Sequence, residues 1–309
     1  MRLGYLGPEG TFSEEALRRS LALAGVRAGE AELVPLPTVH AVVLAVADGE
    51  VNRALAPIEN SLEGSVNEAV DALLHEAPGV RIVGETVLPV HYVLAARAER
   101  PLESITAVYS HPQSLAQCAR FLREAMPGAE VRATRSTADA VRSVAASDEP
   151  SAALGTRLAA ELYGLRVLRE DVQDDAGNAT RFVWLAAQDD PLARAARAAD
   201  PHAPWKSSVA FLGDGDGDPG WLVRCLSEFA FRGVNLTRIE SRPARRRLGH
   251  YVFLVDLDGR ADHAGPAADA IAALAKYCED VRVLGAYPAA GAPGAQDVGA
   301  VAQGARPAG

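Results

Sequence analysis

The sequence has few of the features that mark metal-binding, secreted or membrane-spanning proteins. Its 309 residues include only three cysteines, Cys118, Cys225 and Cys278. This odd number, spread along the chain, predicts no metal site and no disulfide framework, and we expect buried thiols. The N-terminus lacks a charged segment followed by a long apolar run, and no stretch reaches the roughly 18 apolar residues of a membrane span. These absences predict a cytoplasmic protein without a membrane partner.

Positive charge is also in short supply. The chain has 31 Lys+Arg against 40 Asp+Glu, which gives a formal net charge of -9. An acidic chain without a long basic run is a poor candidate for binding nucleic acid, and an anionic ligand would need a local positive pocket. Apolar side chains are plentiful, at 49% of residues, and the length suits two or three domains with buried cores.

Strand and helix patterns alternate through the first half of the chain. We predict strands at residues 1–6, 53–58, 105–109 and 151–154. A helix start follows each strand: capping-box spacings occur at Thr11 and Glu14, Ser65 and Glu68, and Ser110 and Gln113, and Gly155-Thr156 opens a helix that Gly164 ends. This alternation predicts an α/β fold with a mostly parallel sheet.

The composition changes at residues 186–204, which are rich in Ala, Asp and Pro and predict a linker. The segments after it are predicted as strand 208–213, helix 219–231, strands 234–241 and 250–256, helix 266–278 and strand 281–287. This βαββαβ order is typical of a ferredoxin-like unit. The tail at 289–309 consists mostly of Gly, Ala and Pro, and we expect it to be disordered.

Four strand-to-helix corners are candidates for a ligand site: residues 7–11, 60–65, 110–113 and 155–156. Open α/β sheets bind ligands beyond the carboxyl ends of strands, where helix N-termini offer N–H groups and a positive dipole end. Asn60, Ser61 and Gln113 add amides and a hydroxyl there. Each corner taken alone is also explained by a helix cap, so these residues predict a small anionic ligand without identifying a reaction.

Two charged or titratable side chains have two interpretations each. Arg181 follows the acidic stretch 170–175, so its planar guanidinium either pairs with a substrate carboxylate or forms an internal salt bridge to that stretch. Histidine is a common general base, and His111 is either a general base or a structural side chain at a helix start.

Six segments resemble the bacterial prephenate dehydratase family and occur in the order of that family. They are GYLGPEGTFSEEA (4–16), APIENSLEGSV (56–66), YSHPQSLAQC (109–118), LGTRLAAELYGL (154–165), NATRF (178–182) and GVNLTRIESRP (233–243). The resemblance covers about residues 1–288, which is nearly the whole chain apart from its tail.

The resemblance implies a two-lobed α/β catalytic domain, similar to a periplasmic binding protein, at residues 1–187. Its lobes would be about 1–77 with 165–187, and 78–164. A linker at 188–206, a ferredoxin-like ACT domain at 207–288 and a disordered tail at 289–309 would follow. The implied reaction turns prephenate into phenylpyruvate, CO₂ and water for L-phenylalanine biosynthesis, without a metal or organic cofactor. The alternatives are an arogenate dehydratase, acting on the aminated analogue, and a non-catalytic amino-acid sensor or solute-binding protein.

The resemblance also assigns residues to the reaction. It implies that Thr180 supplies the essential hydroxyl and that Arg181 and Phe182 complete the catalytic motif. The residues implied to contact the substrate are Gly7, Thr11, Ser13, Glu59, Asn60, Ser61, Ser110, His111, Gln113, Thr156 and Asn178. Because a threonine hydroxyl is a very weak acid, we expect it to hydrogen-bond the leaving oxygen or to relay a proton.

Phenylalanine is the implied effector of the ACT domain, and the family assembles as a homodimer or homotetramer. The residues implied to bind the effector are Gly220, Trp221, Leu222, Asn235, Leu236, Glu240, Ser241, Arg242 and Pro243. Trp221 stands where the family has alanine after Pro-Gly. We therefore expect the indole to fill part of the effector's space and to weaken inhibition by phenylalanine. The alternative is that the indole turns outward and stacks on the ring of the effector, which would preserve binding.

Overall fold

The computed structural model describes residues 1–23, 29–191, 204–213 and 218–290 of the 309. These residues form three β-sheets with helices packed against them. Two sheets build the two lobes of the N-terminal part, and the third sheet belongs to the C-terminal part. No helix in the four described ranges combines the length and apolar composition that crossing a membrane requires.

The first lobe contains a six-stranded sheet. Its strands are β1 (Arg2–Leu6), β2 (Glu32–Leu36), β3 (Arg53–Asn60), β4 (Gly64–Ser65), β5 (Val80–Pro89) and β11 (Ala179–Ala187), and its helices are α1 (Phe12–Leu23), α2 (Val39–Ala47) and α3 (Asn67–His75). The strand order is β2-β1-β3-β11-β5, with β4 paired to β3. β1 runs parallel to β2 and β3, whereas β11 runs antiparallel between β3 and β5. The chain thus returns late to place β11 inside a sheet that it began at its N-terminus.

The second lobe contains a five-stranded sheet. Its strands are β6 (Val93–Ala96), β7 (Ala107–Ser110), β8 (Glu130–Ala133), β9 (Ser151–Gly155) and β10 (Arg166–Arg169), and its α-helices are α4 (Pro112–Gln117), α5 (Ala119–Ala125), α6 (Thr137–Ala145) and α7 (Arg157–Leu162). The order is β10-β6-β9-β7-β8. β7 pairs parallel with β8 and β9, and β6 pairs antiparallel with β9 and β10.

The C-terminal unit has the predicted βαββαβ order. Its elements are β12 (Trp205–Leu212), α8 (Trp221–Ala230), β13 (Leu236–Pro243), β14 (Tyr251–Asp258), α9 (Pro266–Leu274) and β15 (Asp280–Pro288). They form the third sheet, an antiparallel sheet of order β13-β14-β12-β15. One face of this sheet packs against α8 and α9. The other face shares an apolar cluster with the first lobe, in which Leu254 and Leu284 join Ile82 and Val183.

The prediction of a mostly parallel sheet is wrong. β11 and β5 are antiparallel additions to the first sheet, and β6 and β10 are antiparallel additions to the second. Alternation of strands and helices predicts the elements, but it does not say which distant strands pair. For the same reason β5 lies in the first sheet and β10 in the second, across the predicted lobe limits at 77 and 165.

The predicted helix starts have mixed outcomes. Thr11 Oγ1 accepts the Glu14 N–H at 3.4 Å, while the Glu14 carboxylate accepts the Gly10 N–H at 2.6 Å. Thr156 caps α7 as predicted. The capping boxes at Ser65 and Ser110 are wrong. The residue before α3 makes no side-chain cap, and the cap of α4 is the histidine after Ser110.

Parts of the predicted linker and tail, residues 192–203 and 291–309, lie outside the described residues. β12 begins at Trp205, inside the segment predicted as linker. The cysteines are free thiols, and Cys118 and Cys225 are buried as expected. Cys278 is only partly buried, and its Sγ lies 3.8 Å from Cys225 Sγ.

Candidate active site

A cavity of about 910 Å³ lies between the two lobes. The carboxyl ends of β1, β2 and β3 reach it from the first lobe, and the segments that follow β7 and β8 reach it from the second at His111 and Arg135. This is the edge at which open α/β sheets bind ligands. Nine of the residues predicted for catalysis or substrate contact line it: Gly7, Thr11, Ser13, Asn60, His111, Gln113, Asn178, Thr180 and Phe182.

Thr180 and Asn60 stand opposite each other on β11 and β3. The Asn60 side-chain nitrogen donates to Thr180 Oγ1 at 3.0 Å and to Asn178 Oδ1 at 2.9 Å. The Asn60 side-chain oxygen accepts the backbone N–H groups of Leu62 and Glu63 at 2.9 and 3.0 Å, and this fixes the orientation of the amide. Because Asn60 donates to Thr180, the threonine's own proton is directed to another acceptor, such as a bound molecule.

A chain of hydrogen bonds continues from Asn178 into the second lobe. The Asn178 side-chain nitrogen and the Tyr92 hydroxyl both donate to Gln117 Oε1, each at 3.0 Å. Ser114 donates to the Tyr92 oxygen at 3.0 Å. Burial raises the pKa of Tyr92 to about 12, so the phenol stays protonated at neutral pH. Tyr92, Ser114 and Gln117 were not predicted from the sequence, in which the one available signal was the i, i+4 spacing of Gln113 and Gln117 on one helix.

The loop after β1 contacts the second lobe at one end of the cavity. Thr156 Oγ1 donates to the Gly10 carbonyl at 2.7 Å. Gly10 has a φ of +87°, and a Cβ there would lie 2.9 Å from Ala159 Cβ, so only glycine permits this approach. Phe12 packs edge-on against Tyr92, with ring centroids 5.1 Å apart. The loop therefore holds the two lobes together beside the cavity.

Two arginines, Arg135 just before α6 and Arg142 in its last turn, give the cavity wall positive charge. Arg135 and Arg142 line it together with Asp139, which lies 3.8 Å from Arg135 and 2.5 Å from Arg142. Ser136 caps α6 by accepting the Asp139 N–H at 3.0 Å. The two guanidinium groups and the helix N-terminus make this wall favourable for an anion. These arginines were not predicted as site residues, because no local sequence pattern distinguishes them from other exposed arginines.

Arg181 lies on the face of β11 opposite to Thr180. Its Nε is 2.7 Å from Glu85 Oε2, and its Nη1 is 2.6 Å from Asp256 Oδ2. The guanidinium does not line the cavity, so the expectation of a substrate contact is not supported. The alternative interpretation, an internal ion pair, describes this side chain, although its partners are not in the acidic stretch 170–175.

Four other predicted substrate residues do not line the cavity: Glu59, Ser61, Ser110 and Thr156. Glu59 shares a face with Arg181, and its Oε2 lies 3.4 Å from Arg181 Nη1. Ser61 Oγ accepts a backbone N–H of β11 at 2.9 Å, and Ser110 Oγ donates to a backbone carbonyl of β9 at 2.8 Å. These side chains hold the strands and helices that form the cavity walls.

Trp221 lies in the core of the C-terminal unit and is only 8% exposed. Its ring lies 6.2 Å from that of Phe211 and 5.9 Å from that of Phe253, and its Nε1 donates to the Tyr277 carbonyl at 2.6 Å. A Cβ on Gly213 would lie 2.7 Å from the indole, so glycine leaves the room that the ring occupies. The expectation that this indole fills an effector pocket is not supported, because it fills the core of its own unit.

The other predicted effector residues face different surroundings. Glu240 and Arg242 point to the first lobe, where Glu240 Oε2 accepts from Ser65 at 2.6 Å and Arg242 donates twice to Asp71 at 2.8 Å. Gly220 precedes α8, and Leu222 and Leu236 are partly buried against the apolar core of the C-terminal unit. The Asn235 side chain donates to Asp258, and Ser241 and Pro243 are exposed. Within the described residues these side chains do not converge.

Comparisons with known proteins connect this architecture to one family. The family model for prephenate dehydratase matches residues 3–190. A prephenate dehydratase of Mycobacterium bovis is 39% identical over 301 residues, which cover 96% of this chain and 89% of the relative. The structure of an Arthrobacter aurescens prephenate dehydratase in complex with L-Phe is 35% identical, with a TM-score of 0.79 and coverage of 97% of this chain and 95% of that one. A structure described as GqqA, a novel type of quorum quenching acylase, is 31% identical, with a TM-score of 0.79 and coverage of 94% and 98%. The chain belongs to the prephenate dehydratase family.

Proposed function

We propose that the chain converts prephenate to phenylpyruvate, CO₂ and water. The observation that supports this most directly is the Thr180 hydroxyl, which faces the cavity and accepts from Asn60 at 3.0 Å. The hydroxyl is thereby free to donate to the oxygen that leaves the substrate ring. The reaction takes up one proton, because the prephenate dianion gives the phenylpyruvate monoanion with neutral CO₂ and water.

The cavity has a positively charged wall and an apolar region, and each suits one part of the substrate. Prephenate carries a ring carboxylate and a pyruvyl carboxylate, and Arg135 and Arg142 lie where one of them can be held. Phe182 of the first lobe and Val90, which packs in the core of the second, line the cavity together with Thr180. A carboxylate with few water contacts beside these apolar groups loses CO₂ more readily.

Thr180 supports departure of the ring hydroxyl without supplying the proton itself. A threonine hydroxyl is too weak an acid to give up its proton at neutral pH, so the proton must come from solvent or from a stronger acid. His111 and Glu9 line the same cavity. A positioned proton donor contributes about 10²–10⁴-fold to a rate. Thr180 therefore orients the leaving oxygen. The proton donor acts either through the Thr180 hydroxyl or directly on the leaving oxygen.

Arogenate is the second candidate substrate. It carries an ammonium in place of the keto oxygen of prephenate, and the carboxylates of Glu9 and Asp139 line the cavity and could pair with that ammonium.

Acyl transfer, the reaction in the name of the GqqA relative, needs a hydroxyl beside a base. Ser114 donates to the phenol of Tyr92 at 3.0 Å, and Thr180 accepts from an amide, so the arrangement around these hydroxyls favours the lyase.

Phenylalanine is the proposed effector of the C-terminal unit, which we assign as an ACT domain at about 207–288. The complex of the Arthrobacter aurescens relative with L-Phe supports this proposal. Assembly as a homodimer or homotetramer and a cytoplasmic location remain predictions.

Incubation of the purified chain with prephenate and, separately, with arogenate tests the function. We expect phenylpyruvate from prephenate, with CO₂ released in equal amount and one proton taken up per turnover. Faster formation of phenylalanine from arogenate would identify the aminated substrate instead. Absence of product from both substrates would contradict the proposed function.

A further inference from the structure

A cluster of buried charges joins β11 to the third sheet on the side opposite to the cavity. Arg181 is at its centre, with a side chain only 11% exposed, and its acidic partners Glu85 and Asp256 are 0% and 5% exposed. Glu85 belongs to β5 of the first lobe, whereas Asp256 belongs to β14 of the C-terminal unit. One guanidinium therefore connects two parts of the chain that also share an apolar cluster and, at Asp71 and Arg242, a second ion pair.

Each side of the guanidinium has its own partner. Nε donates to Glu85 at 2.7 Å, Nη1 to Asp256 at 2.6 Å and Nη2 to the Tyr287 hydroxyl oxygen at 2.9 Å. Ser208 completes the C-terminal side, because its Oγ lies 2.5 Å from Asp256 Oδ1 and 2.8 Å from the Tyr287 oxygen. A planar fork with three fixed acceptors permits one arrangement of these groups, whereas apolar surfaces can slide.

The charge of Arg181 is maintained by this cluster. Burial alone would lower the pKa of the guanidinium. The oxygen of Tyr287 and the carboxylates of Asp256 and Glu85 outweigh burial, and the pKa is raised above its ordinary value. The guanidinium therefore remains a cation at this contact between the first lobe and the third sheet.

Along the paired strands, the Arg181–Glu59 pair is next to the Thr180–Asn60 pair. Thr180 pairs with Asn60 and Arg181 with Glu59, but the next pair is Phe182 with Pro57, so a bulge interrupts the ladder at Arg181. Bulges aim neighbouring side chains and are common beside active sites. Arg181 Nη1 lies 3.4 Å from Glu59 Oε2, so it contacts both strands at the bulge.

We propose that Arg181 is a positioning residue that transmits the position of the third sheet to the Thr180–Asn60 pair. The inference rests on the proposed function and deepens it, because it assigns a residue to the control of that site. The C-terminal unit acts on the cavity through Asp256 and Tyr287, which hold the guanidinium. A shift of the third sheet moves the part of β11 that lies opposite the extra residue of β3, Ile58, and Thr180 moves with it.

The test compares two contacts that both join the third sheet to the first lobe. Asp256→Asn removes one charge from the Arg181 cluster with almost no change in shape. Asp71→Asn is the matched control, because Asp71 binds Arg242 at 2.8 Å on α3 and does not belong to this cluster. We expect Asp256→Asn to lower kcat for prephenate about 10- to 100-fold with KM within about twofold, the effect of a misplaced reacting group. We expect Asp71→Asn to keep the kcat of the wild type.

Hydrogen–deuterium exchange of residues 179–187 provides a readout that does not depend on activity. Asp256→Asn should accelerate exchange in this segment relative to both the wild type and Asp71→Asn. If the wild type turns over neither prephenate nor arogenate, the proposed function fails, and exchange alone then decides the inference about Arg181. Equal exchange in the two variants, or a kcat for Asp256→Asn equal to that of the control, overturns it.

Tyr287→Phe is the second variant, and it decides the matter if Asp256→Asn does not fold. It removes only the hydroxyl oxygen that accepts from Arg181 at 2.9 Å and keeps the buried ring. We expect a smaller fall in kcat, about 3- to 10-fold, with faster exchange in 179–187, because one of three acceptors is lost. Unchanged kcat and unchanged exchange in this variant likewise overturn the proposal.

Discussion

The two faces of β11 meet two different environments. Thr180 and Phe182 face the cavity, in which Thr180 contacts an amide. Arg181, between them, faces the third sheet and the carboxylates of Glu85 and Asp256. Successive side chains of a strand point to opposite sides, so three adjacent residues serve two sites. Residues that are contiguous in a motif need not share a site. Substitutions of these residues should therefore have different effects on turnover and on stability.

The largest expected effect is on the cavity face. Thr180→Ala should lower kcat about 10²–10⁴-fold, the range for losing assisted proton transfer to the leaving oxygen that Thr180 orients, while the midpoint of urea unfolding stays close to that of the wild type. The measurement is prephenate turnover by a variant that unfolds normally. Thr180→Ser is the control, because it keeps the hydroxyl that accepts from Asn60. A Thr180→Ala enzyme with near-normal turnover would remove Thr180 from the reaction.

A residue that lies on neither face of β11 should affect stability and not turnover. Trp221→Ala deletes an indole that packs on Phe211 and Phe253, so it should lower the free energy of unfolding by about 3–5 kcal/mol. At a temperature where the variant is folded, kcat should stay within about twofold of the wild type. Inhibition by phenylalanine should become no stronger.

Trp221→Phe separates packing from the hydrogen bond to Tyr277, and it should lose less stability than the alanine variant. The opposite result is informative. An alanine variant with normal unfolding and stronger inhibition by phenylalanine would show that the indole obstructs an effector site, as the sequence alone suggested.

The sequence predicted those features whose causes are local. The hydroxyl of Thr156 and the glycine at 164 mark the helix between them, and the hydrophobic pattern after residue 207 gave the βαββαβ order. It could not predict that β11 inserts between β3 and β5, because that pairing depends on packing between distant segments. The direction in which Arg181 points depends on the same pairing, since the face of a strand has no meaning until its sheet and cavity are known.

The site shows the same division between local and distant causes. Asn60, Asn178 and Thr180 belong to recognisable segments, and the structure brings them within hydrogen-bonding distance. Tyr92 has no distinguishing neighbours in the sequence, and it reaches the cavity only because the two lobes close around it. Arg135 becomes part of the site for the same reason.

A moderate effect is expected where the hydrogen-bond chain crosses between the lobes. Tyr92→Phe removes the donor to Gln117 and the acceptor for Ser114, but it keeps the ring that packs on Phe12. A lost hydrogen bond of about 1 kcal/mol should lower kcat/KM about fivefold. Tyr109→Phe is the matched control, because this tyrosine of the same lobe donates to Glu149 outside the cavity. Equal kinetics for the two variants would exclude Tyr92 from the site.

The smallest effect concerns the contact between Asp71 of the first lobe and Arg242 of the third sheet. The hydrogen bond from Arg242 lowers the pKa of Asp71 below its usual value of 3.8, although partial burial opposes the shift. A carboxyl group with a lowered pKa adds stability that is fully present above 3.8 and is lost as the pH falls through the folded-state value. Asp71→Asn should therefore cost about 1 kcal/mol or less at pH 7, since the pair is partly exposed. Urea unfolding of both proteins from about pH 7 down to about pH 3 should show the two unfolding free energies converging as the carboxylate becomes protonated. A difference that stays constant over this range would mean that the contact contributes through shape and not through charge.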